Sequence, residues 1–355
     1  MKQLQKIIIY FLLVFNFLNP SYSNNLEKKR YLMRFPDIHK DMVVFVYGGD
    51  IWKVGVKGGI ATKLTFNDGL EVYPKFSPDG SMIAFTGQYD GNSDVYVMNV
   101  HGGNITRVTF HPRLDLVVGW HPVKNKIIFS SKRRSFNRFT KLFMISPDGS
   151  GLEELIMHEA ATGSFSKDGS KIAYNRMGGS GRTWKRYRGG MAEELYLFDF
   201  KEMKDTRLTN FKGTDRIPMW IGDKIYFNSD RDGILNLYSY GILTKKIKQL
   251  TYYKKYDIRR PSKGINRIIY ELGGELWIFD IKKQKAKKIP VQIMADAEER
   301  RPHWKKVNKY VTDIHCSPKA KRALVVARGE IFSVPRKHGS IRNLTKNCGA
   351  RDKSA

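Results

Sequence analysis

The sequence predicts an all-β chain: a six-bladed β-propeller of four-stranded antiparallel blades, followed by the first blade of a second, truncated propeller. Three observations predict it. A tight-turn signal recurs, as FSPDG at 76–80 and FSKDG at 165–169, with WHPVKN at 120–125, WIGD at 220–223 and CSPKAK at 316–321 as looser copies. Apolar strand-like runs follow these turns: MIAFTG, KIAYNR, IIFSS, KIYFNS and ALVVAR. A polar residue followed by an aliphatic and an aromatic returns as DIW (50–52), DVY (94–96), KLF (141–143), ELY (194–196), NLY (236–238), ELW (275–277) and EIF (330–332). Its spacing of about 40–50 residues, with a Leu-Thr-like pair about ten residues later, is that of propeller blades.

The elements follow in chain order. Residues 1–23, MKQLQKIIIYFLLVFNFLNPSYS, carry Lys2 and Lys6, an apolar run from Ile7 to Leu18, and Ser21 and Ser23 at −3 and −1 of a cut before Asn24. That is the layout of a secretory signal peptide, too short for a comfortable span. It predicts an exported chain, periplasmic or secreted, and no stable membrane span; an uncleaved N-terminal anchor is the alternative. No later segment is apolar enough to cross a membrane.

Residues 31–290 hold six blade units. In the unit at 71–110, VYPKFS is the inner strand, PDG the turn and SMIAFTG the returning strand. DVYVMNV and ITRVTF complete it, with Gly, Asn and Asp wherever a hairpin requires positive φ. One blade cannot bury its own faces; radial stacking of several does. Residues 291–307 (VQIMADAEERRPHWKK and onward) read as a charged linker poor in strand formers. Residues 308–355 begin a seventh unit, which reaches its Leu-Thr pair and stops at KNCGARDKSA. A single seven-bladed ring is the structural alternative; the linker and the abrupt end argue against it.

A net charge of +29 over 355 residues invites a nucleic-acid partner,. The leader places the folded part away from the genome, so none is expected. Cys316 and Cys348 allow one disulfide, with buried or free thiols the simpler expectation, and exclude a disulfide scaffold,. No nucleophile elbow, zinc-protease helix or phosphate loop occurs, and the eight histidines lack metal-ligand spacing,. His111 and His121 read as turn or core residues. No catalytic residue, metal or cofactor is predicted.

Two segments depart from the repeat. SSKRRSFNRFTK (130–141) carries Lys132, Arg133, Arg134 and Arg138. GGSGRTWKRYRGG (178–190) inserts Arg182, Lys185, Arg186 and Arg188 around Trp184 and Tyr187. Guanidinium groups grip carboxylates through paired charge-assisted hydrogen bonds, and aromatic neighbours add a stacking surface. These loops are therefore candidate sites for an anionic ligand group such as a peptide C-terminus. A solvated basic loop, or a contact with another domain, is the structural alternative.

The repeat resembles the WD40-like repeat of TolB and of tricorn-type proteases. The less generic RTWKRYRGG, EERRPHW, ARGEIFSVP and RNLTKNCGARDKSA are similar to the tricorn protease family, and the resemblance covers essentially everything after the leader. It implies a six-bladed propeller, then a seven-bladed one, then a PDZ-like module and the catalytic domains of a serine protease acting on oligopeptides, homo-oligomeric at full length. This chain would then be a non-catalytic, substrate-gating portion, inactive alone because it ends before the catalytic domains. A pair of arginines in the family's first propeller anchors the substrate carboxylate, and Arg133 and Arg134 stand at that place. Most of the family is cytoplasmic, from which the leader departs. The alternative is a TolB-like periplasmic interaction scaffold, disfavoured because no small α/β domain precedes the propeller.

Overall fold

The Gly of each FSPDG-type turn and the apolar run after it set the geometry of a blade. In the computed structural model, which describes residues 32–178, 185–294, 306–345 and 351–354, the predicted turns join an inner strand to its neighbour. The leader, Arg182, Trp184, Cys348 and the linker stretch 295–305 lie outside the described residues.

Blade one comprises β1 (Arg34–His39), β2 (Met42–Tyr47), β3 (Asp50–Gly55) and β4 (Gly59–Lys63). Blade two comprises β5 (Glu71–Phe76), β6 (Met82–Gly87), β7 (Asp94–Asn99) and β8 (Ile105–Arg107). Blade three is β9 (Asp115–Trp120), β10 (Ile127–Ser131), β11 (Lys141–Ile145) and β12 (Glu153–Glu154). Blade four is β13 (Thr162–Phe165), β14 (Lys171–Asn175), β15 (Tyr196–Asp199) and β16 (Lys204–Arg207). Blade five is β17 (Asp215–Ile221), β18 (Lys224–Ser229), β19 (Asn236–Gly241) and β20 (Ile247–Gln249). Blade six is β21 (Arg259–Gly264), β22 (Arg267–Leu272), β23 (Glu275–Asp280) and β24 (Lys285–Lys288). Within each blade the strands pair antiparallel in chain order.

The second strands, such as KIYFNS and RIIYEL, are buried almost throughout. Alternation is lost because both faces of a blade are covered by neighbours. The outer strand KDTR, by contrast, is exposed over its whole length. Val44, Val46 and Ile51 of blade one pack with Ile83, Phe85 and Met98 of blade two, and equivalent clusters join the later pairs. One further cluster unites Val43, Phe45 and Trp52 of blade one with Ile269, Leu276 and Ile278 of blade six. That last interface closes a ring of six. The innermost strands touch around the same ring, and β21 meets β1.

The Leu-Thr pair acquires a mechanical meaning. Its Leu-position N–H donates to the carbonyl 13 residues back, as from Leu64 to Ile51 and from Leu208 to Leu195. Its Thr Oγ1 accepts the N–H of that same third-strand residue at 2.8 Å in blade one and 3.0 Å in blade two. The fourth strand is thereby pinned where ladder pairing runs out.

The structure departs from the predicted linker at its first residues. Val291–Ile293 form a strand, β25, parallel to β4. The chain leaving blade six crosses blade one at Gly58, whose φ is +88° and where a Cβ would sit 2.5 Å from the Pro290 carbonyl oxygen. Only glycine permits that approach.

The seventh sheet, β26 (Val311–Cys316), β27 (Arg322–Ala327), β28 (Glu330–Pro335) and β29 (Arg342–Asn343), belongs to a separate unit, residues 295–355. It repeats the blade order and the Thr clamp, with Ile331 N–H donating to Thr345 Oγ1 at 3.0 Å. Cys316, expected as a buried or free thiol, is exposed at the end of β26.

Candidate functional site

Antiparallel order puts the start of every inner strand and the loop between second and third strands on one face of the ring. The β10–β11 loop and residues 185–190 of the second basic segment lie there. Arg133, from the β10–β11 loop, is 8 % exposed and ion-paired with fully buried Asp115 at the start of β9. Its guanidinium also lies 4.8 Å from the Phe129 ring centre and 5.5 Å from that of Phe143. Blade five repeats the device: Arg231 pairs with buried Asp215 at 2.5 Å. Arg133 is thus held by its own blade. Arg134 instead is 66 % exposed, with Glu154 at 3.7 Å, and Arg138 reaches Met191 Sδ at 3.1 Å.

The blade-four insertion leans over blade five. Lys185 pairs with Asp257 at 2.5 Å while 68 % exposed. Arg186 Nε donates to the Gly233 carbonyl at 2.7 Å, and Arg188 pairs with Asp230 at 2.8 Å. Phe211 receives both Arg188 and Arg231 over its ring, at 5.3 and 4.4 Å. The described residues of the insertion therefore strap two blades together, with Lys185, Arg186 and Arg188 each engaged by a partner of their own, as Arg133 is by Asp115. Arg182 lies outside the described residues.

Sequence reasoning missed what lies on the ring axis. Four inner strands contain an X-Pro step whose first residue has positive φ: Phe35 (+51°), Tyr73 (+56°), Ile217 (+56°) and Arg260 (+47°). Each lies in a register shift between inner and second strand. This is a strained bulge that breaks the ladder where proline has no N–H to give. All four residues line an axial cavity of about 570 Å³, bounded by all six inner strands. Phe35 and Tyr73 meet edge to face at 4.7 Å. Arg260 lies over both rings and donates to Tyr73 Oη at 2.5 Å.

Deeper in, Asp37 accepts the Phe76 N–H at 2.8 Å, the Ser262 hydroxyl, and Lys75 Nζ at 3.4 Å. Lys75 Nζ also donates to Ser262 Oγ at 2.6 Å. Lys263 Nζ donates to the carbonyls of Phe165 (3.3 Å) and Trp220 (3.2 Å). Solvent reaches Lys263 through the cavity, yet protein surrounds it, and burial pushes its pKa down to about 8,. The available sequence signal was a lysine placed inside an inner strand, as in VYPKFS and RRPSKG.

Residues 30–285 match the family model described as the tricorn protease N-terminal beta propeller domain. The chain belongs to the tricorn protease family. A tricorn protease homolog of Saccharolobus solfataricus is 26 % identical over 331 residues, 91 % of this chain and 30 % of that protein. The tricorn protease of Thermoplasma acidophilum is 28 % identical over 285 residues, 76 % of this chain and 26 % of that protein. The chain thus spans under a third of the length of these curated relatives. Among solved structures, a crystal structure of the tricorn protease superposes with a TM-score of 0.73 at 24 % identity, covering 91 % of this chain and 32 % of the other. That superposition is a likeness of fold. Among the described residues no cluster of His, Cys, Asp or Glu is arranged to hold a metal, and no helix is long and apolar enough to cross a membrane.

Proposed function

We propose that this chain is the non-catalytic, substrate-handling propeller of a tricorn-like serine protease that degrades oligopeptides. The catalytic groups come from domains beyond it, and the full-length protein is a homo-oligomer. The axial cavity is the observation that carries this reading. A six-residue inner strand is about 20 Å long, so the axis accommodates an extended peptide of about six residues between aromatic walls. On the loop face, exposed Arg134, Lys185 and Arg186 orient the chain that enters. Arg133 and Arg188 hold the loops that present them, and Arg182 belongs to the same insertion.

The experiment narrows the axis. Gly119, on β9, lines the cavity and has nothing within 4 Å of where a Cβ would be. Gly119→Phe in the full-length enzyme should therefore fold and partly block the path. Expected is a loss of about tenfold in kcat/KM for peptides of about ten residues, with short chromogenic substrates unaffected. Hydrolysis by the 355-residue chain alone, or unchanged processing of long peptides in the variant, overturns the reading.

Export is proposed on the leader alone. Expression in a host with a general secretion pathway should yield a mature N-terminus at Asn24 by mass spectrometry. An intact Met1 contradicts cleavage, and a folded product recovered only from the cytosolic fraction contradicts export.

A further inference from the structure

The charge balance on the axis is lopsided. Five cations line the cavity, Lys40, Lys75, Lys167, Arg260 and Lys263, against the single carboxylate of Asp37. Asp37 is already engaged by a backbone N–H, a hydroxyl and Lys75. Lys263 has no such partner: among the described residues no carboxylate lies within ion-pair reach of it. Its two hydrogen bonds go to neutral carbonyls, and an ammonium has three donors,. A cation surrounded by protein and facing a narrow space is where an anion gains most, because low-dielectric walls focus the field. Neutral walls flank it: Trp120, whose Nε1 is occupied by the Lys75 carbonyl at 2.9 Å, Trp220, and the Phe35–Tyr73 pair.

We propose that the axial cavity selects peptides by carboxylate, with Lys263, supported by Lys75, binding an acidic side chain or a free C-terminus of an extended peptide. This rests on the cavity being a peptide path, but it is read by direct binding rather than by proteolysis. Nucleic acid has the charge without the fit, since a base-bearing polyphosphate is wider than a strand of peptide.

Lys263 faces Asp37, which favours its protonated form, and Lys75, which opposes it, beneath the larger effect of burial. An anion needs the protonated amine. Binding is therefore present below pH about 8 and falls as pH rises through that value,.

The test titrates the 355-residue chain by calorimetry with three N-acetylated alanine-rich hexapeptides: one with a free C-terminal carboxylate, one amidated and uncharged, and one amidated with a single central glutamate. The two anionic peptides should bind roughly tenfold more tightly than the neutral one, the worth of one charge-assisted hydrogen bond. That preference should disappear in Lys263→Gln, survive in Lys263→Arg, and shrink between pH 7 and pH 9. Because the peptide series is run on the unaltered chain, a variant that fails to fold leaves the answer intact. Equal binding of all three peptides overturns the selection while leaving the peptide path standing; no binding by any of them overturns both. A preference undiminished in Lys263→Gln, or displacement of the peptides by a short oligonucleotide at equal charge, also overturns the proposal.

Discussion

Gly169→Ala is expected to destabilise the first unit by roughly 3 kcal/mol, an unusually large effect for one methyl group. Two costs add. Gly169 sits at φ +73°, where an L side chain is strained by about 1–2 kcal/mol,. The new Cβ would also lie 2.5 Å from Cε1 of His121 in the preceding blade. That ring has no easy retreat: it is buried, packs against Phe165 at 4.6 Å, and its Nδ1 accepts the N–H groups of Val123 (3.2 Å) and Lys124 (3.0 Å). Displacing it forfeits hydrogen bonds worth about 1 kcal/mol each. Denaturant melts of Gly169→Ala, His121→Ala and the double variant provide the check. The two changes should be strongly non-additive, since once the ring is gone the methyl has room. A loss below about 1 kcal/mol, or simple additivity, removes the blade-to-blade contact as the cause. Gly80 and His39 repeat the arrangement, with 2.4 Å to Cδ2.

The same turn shows what was legible in the sequence and what was not. Pro-Asp-Gly and Lys-Asp-Gly announce their corners because each residue has a local reason to be there. Asp168 accepts from Ser166 Oγ at 2.6 Å and Ser170 Oγ at 2.7 Å, which holds its carboxyl well below the usual carboxylate range. Apolar second strands and Leu-Thr pairs are equally local, so the blade count and chain order could be read directly. His121 was read as a turn or core residue, and it is one; that a glycine about fifty residues away depends on it is a contact between blades that no window reveals. The axial cavity is hidden for the same reason. Asp37 and Ser262 are 225 residues apart and meet only because the ring closes. The X-Pro bulges were visible as letters, but FP, YP, IP and RP share no side-chain type, so nothing marked them as one feature. β25 escaped because three residues pairing parallel with a distant edge carry no periodicity of their own.

The second large effect separates fold from recognition within a single pair of neighbours. Arg133→Ala should cost about 3–5 kcal/mol of stability, because it strands the fully buried Asp115 carboxylate without its counter-ion,. It also removes the cation lying over Phe129 and Phe143. Arg134→Ala should shift stability by no more than about 0.5 kcal/mol, since its side chain is mostly in water and its partner Glu154 is 3.7 Å away,. If the pair were one carboxylate clamp, as the family resemblance implies, both variants would weaken peptide binding alike and leave the fold alone. The geometry predicts a split instead: Arg133→Ala lowers the melting transition, and Arg134→Ala changes KM for free-acid peptides while melting like the parent. Arg231→Ala in blade five is the internal control, because it makes the same kind of pair with Asp215 far from the SSKRRS loop and should mimic the stability loss. Replacing both partners, as Asp115→Asn with Arg133→Met, should recover part of it, since a neutral pair leaves no buried charge. An Arg133→Ala protein that melts with the wild type would return that arginine to the list of ligand-binding groups.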